Sequence, residues 1–177
     1  MAGVAAPARR RLVLASSDQH WGERWLLEQL DEADLTATLW IAERAPAGVQ
    51  AIRSARVTQC LGSEYRLLVC NAHQGFHPDA VAAAAGTLRG GGDCVLLIPP
   101  LESWSRFADP DKARFAAYPR KPSDMNSGFL ARLLRCWCDQ SATHTVTPSS
   151  PLTVRLAPPA AETFQPSDAQ RAAVSAV

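Results

Sequence analysis

Two apolar runs flank a helical pattern near the middle of the chain. Leu67, Leu68, Val69 and Cys70 form the first run, and Cys94, Val95, Leu96, Leu97 and Ile98 form the second. Neither alternates with polar residues. Strands apolar on both faces are expected where helices cover both sides of a parallel sheet. Between the runs, Val81, Ala84, Ala85 and Leu88 recur at i, i+3, i+4, i+7, one stripe of a helix. Phe76 is placed to pack on Val81 as a hydrophobic staple, and Pro78 suits the first helical position. Asp79 and Arg89 put negative and positive charge at the helix ends that the dipole favours. Gly90, Gly91 and Gly92 then stop the helix and turn the chain. This block predicts one βαβ unit with a right-handed crossover.

The same patterns extend outward. Residues 11–15 (RLVLA) predict a first strand, and Ser16, Ser17 and Asp18 follow with helix-capping chemistry. Residues 21–30 predict a helix with Trp21, Trp25, Leu26 and Leu30 on one side and Glu23, Arg24 and Glu28 elsewhere; residues 31–34 end it. Residues 38–42 (TLWIA) predict a strand, and residues 49–55 a short helix; residues 57–61 carry no clear pattern. Residues 101–122 form a long connection bearing Trp104, Phe107, Phe115 and Tyr118 among charges and prolines. Long connections are often functional, while packing of the aromatics onto the domain is the plainer expectation. Residues 127–139 predict an amphipathic helix with Phe129, Leu130, Leu133, Leu134 and Trp137 on one stripe. Residues 144–147 and 152–156 predict two further strands, and residues 157–166 a Pro/Ala-rich linker. Strands alternating with helices predict an α/β domain with a mainly parallel sheet flanked by helices.

Composition narrows the partners. A length of 177 residues suits one domain, which can bury about 70% of its unfolded surface and needs no staples. The net charge of +1 gives no global reason to expect nucleic acid. Of the 18 basic residues, sixteen are Arg and two are Lys. Arg suits phosphate and carboxylate recognition, and a GC-rich genome produces the same bias. Cys70 and Cys94, two of the five cysteines, lie inside apolar strands, so a reducing cytoplasm is expected rather than secretion. The N-terminal MAGVAAPARRR lacks the apolar core of a signal peptide. No run approaches the roughly 20 apolar residues that span a bilayer, so no membrane partner is expected.

Chemical motifs are sparse. Neither G-x-G-x-x-G nor G-x-x-x-x-G-K-[ST] follows a strand, and the glycine triplet at 90–92 precedes one, the wrong order for a phosphate cradle. Cys136 and Cys138 sit about 200° apart on a helix and cannot share a metal. His73 and His77 have metal-like spacing with no third ligand nearby. His73 could serve as a base for Cys60 or Ser17, but no nucleophile elbow is present. If a small-molecule site exists, it lies beyond the carboxyl ends of the strands, where Ser17, Asp18, His73 and Gln74 are the candidate contacts. No catalytic, cofactor-binding or metal residue is assigned.

Four stretches carry a resemblance: RLVLAS at residues 11–16, LWIAE at 39–43, LGSEYRLLVCNAHQGFHPDAVAAAAGTLRGGG at 61–92, and LLIPPLESW at 96–104. In order and spacing the chain resembles the N-terminal domain of the bacterial tRNA(Met) cytidine acetyltransferase family. The resemblance implies a Rossmann-like three-layer fold over residues 9–157, after a flexible tail of residues 1–8. Residues 158–177 then read as a linker and the start of a truncated helicase-like ATPase module, whose lead-in SDAQRAAVSAV resembles. The family's whole enzyme uses acetyl-CoA and ATP with magnesium to acetylate N4 of the wobble cytidine of elongator tRNA-Met. None of its catalytic residues maps onto this chain, which ends before the Walker A loop. The implied role is a non-catalytic module that scaffolds the ATPase and contacts tRNA, with the downstream ATPase and acetyltransferase domains of the same polypeptide as its partners. Arg9, Arg10 and Arg11 and the loop at residues 106–120 are the candidate RNA contacts, since Arg pairs with phosphate and aromatics stack on bases. A free-standing doubly wound nucleotide- or small-molecule-binding domain and a protein-interaction domain are the rival readings.

Overall fold

The computed structural model describes residues 9–150. The elements run β1 (Arg11–Ser16), α1 (Gln19–Leu27), α2 (Glu32–Thr36), β2 (Thr38–Ile41), β3 (Gln50–Ile52), β4 (Tyr65–Asn71), α3 (Pro78–Ala85), β5 (Leu88–Ile98), α4 (Leu101–Trp104), α5 (Gly128–Cys138) and β6 (Thr143–Val146). The strands form one sheet in the order β3-β2-β4-β5-β1-β6. Every neighbouring pair is parallel. Helices lie on both faces, giving the three layers of a Rossmann-like α/β fold.

The unbroken apolar runs split by parity, as strand geometry requires. Leu14, Leu39, Ile41, Leu68, Cys70, Leu96 and Ile98 face one way, where Ala80, Val81 and Ala84 of α3 and Leu130 and Leu134 of α5 cover them. Val13, Ala15, Trp40, Leu67, Val69, Val95 and Leu97 face the other way, against Trp25 and Leu26 of α1. Each run is therefore the shared wall of two cores, and polar residues have no place in it.

The start of α3 follows the sequence expectation. Pro78 occupies the first turn, and Phe76 and Val81 are buried in the same cluster. The imidazole Nδ1 of His77 caps the helix by accepting from the Ala80 amide at 3.3 Å. Its end does not follow. The helix stops at Ala85 with Gly86 as cap, so Leu88 and Arg89 belong to β5 and the glycine triplet lies inside that strand. The reason is a bulge. Tyr65 pairs with Leu88 and Leu67 with Asp93, so a two-residue step on β4 faces a five-residue step on β5. Gly91 takes φ 76°, and a Cβ on Gly92 would sit 2.6 Å from the Arg66 carbonyl oxygen. The glycines are needed for close backbone approach rather than for helix termination.

Other boundaries also move. Residues 49–55 are not a helix: Gln50–Ile52 is an edge strand on β2, followed by a 3₁₀ turn over Ser54–Cys60. A three-residue strand carries too little periodicity to declare itself, and pairing with β2 decides it. Asp31 does not merely end α1. Its carboxylate accepts from the Asp34 amide at 2.7 Å, and the pair forms a capping box that starts α2. Phe129 lies on the predicted stripe of α5 but is 60% exposed. The predicted strand at 152–156, the linker and the start of the ATPase module over residues 158–177 lie outside the described residues, as does the tail of residues 1–8.

Candidate functional site

The carboxyl ends of β1, β5 and β4 lie side by side, and the loops after β1 and β4 flank β5. The sequence candidates lie along this edge, and their hydrogen bonds run to neighbouring elements rather than to one another. Ser16 Oγ accepts from the Leu101 amide at 2.8 Å, and the Ser17 amide donates to the Ile98 carbonyl at 3.1 Å. Asp18 caps α1 by accepting from the Trp21 amide at 2.9 Å, a bond that holds its carboxyl below the usual range. Gln74 Oε1 accepts from the Glu43 amide at 3.1 Å, joining the β4 loop to the end of β2.

Glu23, which the helix pattern left off the apolar side, proves central. Its Oε1 accepts from Asn71 Nδ2 at 2.8 Å and from Gln19 Nε2 at 2.9 Å, latching α1 to β4. Nothing in the local pattern marks a contact across 48 residues. His73 packs edge-on against Phe107, with ring centroids 6.1 Å apart. Burial lowers its pKa, and the carboxylates of Asp18 and Glu23 and the Ile98 carbonyl oppose that only in part. Its buried Nε2 makes no hydrogen bond among the described residues. A half-buried imidazole under the influence of the Asp18 and Glu23 carboxylates stands at this edge.

The remaining chemistry is quiet. Burial raises the Cys70 thiol strongly and pushes Cys94 up to about 12, so neither offers a thiolate. Cys60 is buried in the core beneath α3. Among the described residues, no group of three or more His, Cys, Asp and Glu side chains could hold a metal. No helix among them is long and apolar enough to cross a membrane.

The basic candidates separate into two kinds. Arg9 and Arg10 are exposed, but Arg11 makes a bidentate pair with the buried Asp93, Nε to Oδ1 at 2.7 Å and a terminal nitrogen to Oδ2 at 2.8 Å. It pins the start of β1 to β5. The loop at residues 106–120 borders a cleft of about 580 Å³ lined in part by Lys112, Arg114, Phe115, Arg120 and Phe129. The floor of this loop is built around Asp109, a buried carboxylate that accepts from the Phe76 amide at 3.1 Å and the Asp111 amide at 2.9 Å. Beside it, an apolar groove of about 630 Å³ runs between α3 and α5, past Leu12, Val81, Leu133 and Trp137.

The family model described as tRNA(Met) cytidine acetyltransferase TmcA, N-terminal, matches residues 2–147. The chain belongs to this family. It is 35% identical over 135 residues to the tRNA(Met) cytidine acetyltransferase TmcA of Nitrosococcus halophilus, covering 76% of this chain and 18% of that protein. It is 39% identical over 119 residues to the TmcA of Citrobacter koseri, covering 67% of this chain and 17% of the relative. The TmcA of Haloarcula marismortui is 33% identical over 135 residues, covering 73% of this chain and 17% of the relative. The chain thus spans under a fifth of the length of these relatives, and it corresponds to the N-terminal module of TmcA.

Proposed function

We propose that this domain is a non-catalytic module of an enzyme that acetylates a cytidine of tRNA(Met). On this reading, acetyl-CoA and ATP with magnesium are used by the ATPase and acetyltransferase domains of the same polypeptide, in the cytoplasm. The domain scaffolds the ATPase and adds contacts to tRNA. The observation that carries the reading is the family match over residues 2–147, set beside a sheet edge held by structural hydrogen bonds. Arg9, Arg10 and the loop at residues 106–120 supply the RNA contacts, through cations that pair with phosphate. Ser17, Asp18, His73 and Gln74 act mainly by holding the strand ends in register with the loops.

A domain exchange tests this. Residues 1–147 of this chain replace the matching region of the Nitrosococcus halophilus enzyme, and N4-acetylcytidine in tRNA(Met) is measured by mass spectrometry. Acetylation by the chimera, with loss when the region is deleted, is the expected outcome. A deletion that acetylates as well as the intact enzyme would sink the reading. Titration of tRNA against the chain at low and high salt tests the RNA contact, with binding that weakens as salt rises expected.

A further inference from the structure

Positive charge and exposed aromatic surface coincide in one part of this domain. Residues 106–132 carry six basic side chains and three acidic ones, a net +3 within a chain of net +1, so the rest of the chain is −2. The acidic groups are committed to internal bonds. Asp109 holds two amides, Asp124 accepts from the Lys121 amide at 2.8 Å, and Asp111 accepts from Arg114 Nε at 2.6 Å. Arg120 and Lys121 make no side-chain hydrogen bond or ion pair among the described residues. Four large hydrophobic side chains are exposed among the described residues, and three are here: Phe115 at 58%, Tyr118 at 98% and Phe129 at 60%. Phe115 and Phe129 face the 580 Å³ cleft, whose volume lies within the range of about 300–1,000 Å³ typical of small-ligand sites. The Arg114 guanidinium lies 4.0 Å over the Phe115 ring and is itself braced by Asp111, so ring and cation form one fixed platform.

A platform of this kind suits one chemistry. Exposed rings stack on nucleobases whose faces are free, and free cations neutralise the adjoining phosphates. Duplex RNA hides its base faces and would use only the cations. A protein partner for an apolar surface would leave Arg120 and Lys121 without counter-charge. We propose that the cleft seats an unpaired nucleotide of an RNA, with its base on Phe115 and its backbone phosphates on Arg120 and Lys121; this rests on the tRNA-handling role proposed above.

The test is fluorescence anisotropy of the 177-residue chain with an oligouridylate and with an RNA duplex of equal length. The single strand should bind more tightly. Phe115→Ala should weaken it about 5- to 150-fold, as loss of one stacked base implies, while Phe115→Trp retains affinity. Arg120→Ala should lower the slope of log affinity against log salt by about 0.7. Equal affinity for strand and duplex, no binding of the strand, or an unchanged Phe115→Ala variant would each overturn the assignment. A Phe115→Ala variant that binds RNA normally but no longer associates with the remainder of the enzyme would make the cleft a protein contact, which also overturns it. Binding of tRNA with no effect of Phe115→Ala removes the cleft and keeps the module. A deletion that acetylates as well as the intact enzyme, alongside Phe115-dependent strand binding, removes the module and keeps the cleft.

Discussion

At the residue scale, the decisive groups are polar ones placed by contacts distant in sequence. Arg11 and Asp93 lie 82 residues apart, and Asp93 is buried beneath the guanidinium. Arg11→Met leaves a buried carboxylate without its partner and should cost about 3 kcal/mol in urea unfolding. The double variant with Asp93→Leu should cost less, because no charge is then stranded. His73 gives a pH signature. Its folded pKa is lowered by burial, so the unfolded chain binds a proton first as pH falls through about 6.5. Stability should therefore decline below that pH and level off below the folded value, and His73→Asn should flatten this part of the profile. Neither residue announces itself locally: Arg11 reads as part of a basic triplet, and His73 reads as a candidate base.

At the element scale, three ties hold the β4–α3 connection. Phe76 meets Trp104 and Trp137 edge-on, at centroid distances of 5.3 and 6.1 Å. Phe76→Ala removes the staple of α3 and the junction of three elements, and should cost about 3–5 kcal/mol. Asp109→Ala frees the buried Phe76 amide and the part-buried Asp111 amide and should raise hydrogen exchange at both while leaving the β1 and β5 amides protected. The bulge of β5 supplies a sharper contrast between glycines. Gly92→Ala meets backbone at 2.6 Å and should destabilise by more than Gly48→Ala, which faces open space and pays only for its φ of 84°. The expected difference is at least about 1 kcal/mol.

At the scale of the whole molecule, the two-sided burial of the sheet predicts thiol accessibility. Cys136 and Cys138 are exposed on α5, whereas Cys60, Cys70 and Cys94 are buried. Two thiols should react promptly with Ellman's reagent in the native chain, and the other three only on unfolding. Prompt reaction of a third would mean that the layers do not close as described. The same closure explains why the apolar runs are continuous, since each strand serves the α3 side and the α1 side at once.

Much of this architecture was legible in the sequence because it follows from short-range periodicity. The unbroken runs at 67–70 and 94–98 require burial on both faces, and the Phe76–Pro78–Val81 spacing locates the start of α3. The order and spacing of residues 61–92 carry the family. Other features were decided by pairing between distant segments. The glycine triplet looks like a helix stop until β4 lies beside it, where Arg66 leaves no room for a side chain. Residues 50–52 are a strand only because the edge of β2 offers hydrogen-bond partners. Glu23 belongs to the strand-end cluster only because α1 packs over β5, within reach of Asn71 on the neighbouring β4, and the exposure of Phe115 and Tyr118 beside the buried Trp104 is set by the tertiary fold. Periodicity reports which faces are apolar. Which backbone lies against which, and which aromatics remain in solvent, depends on long-range contacts that no local window contains.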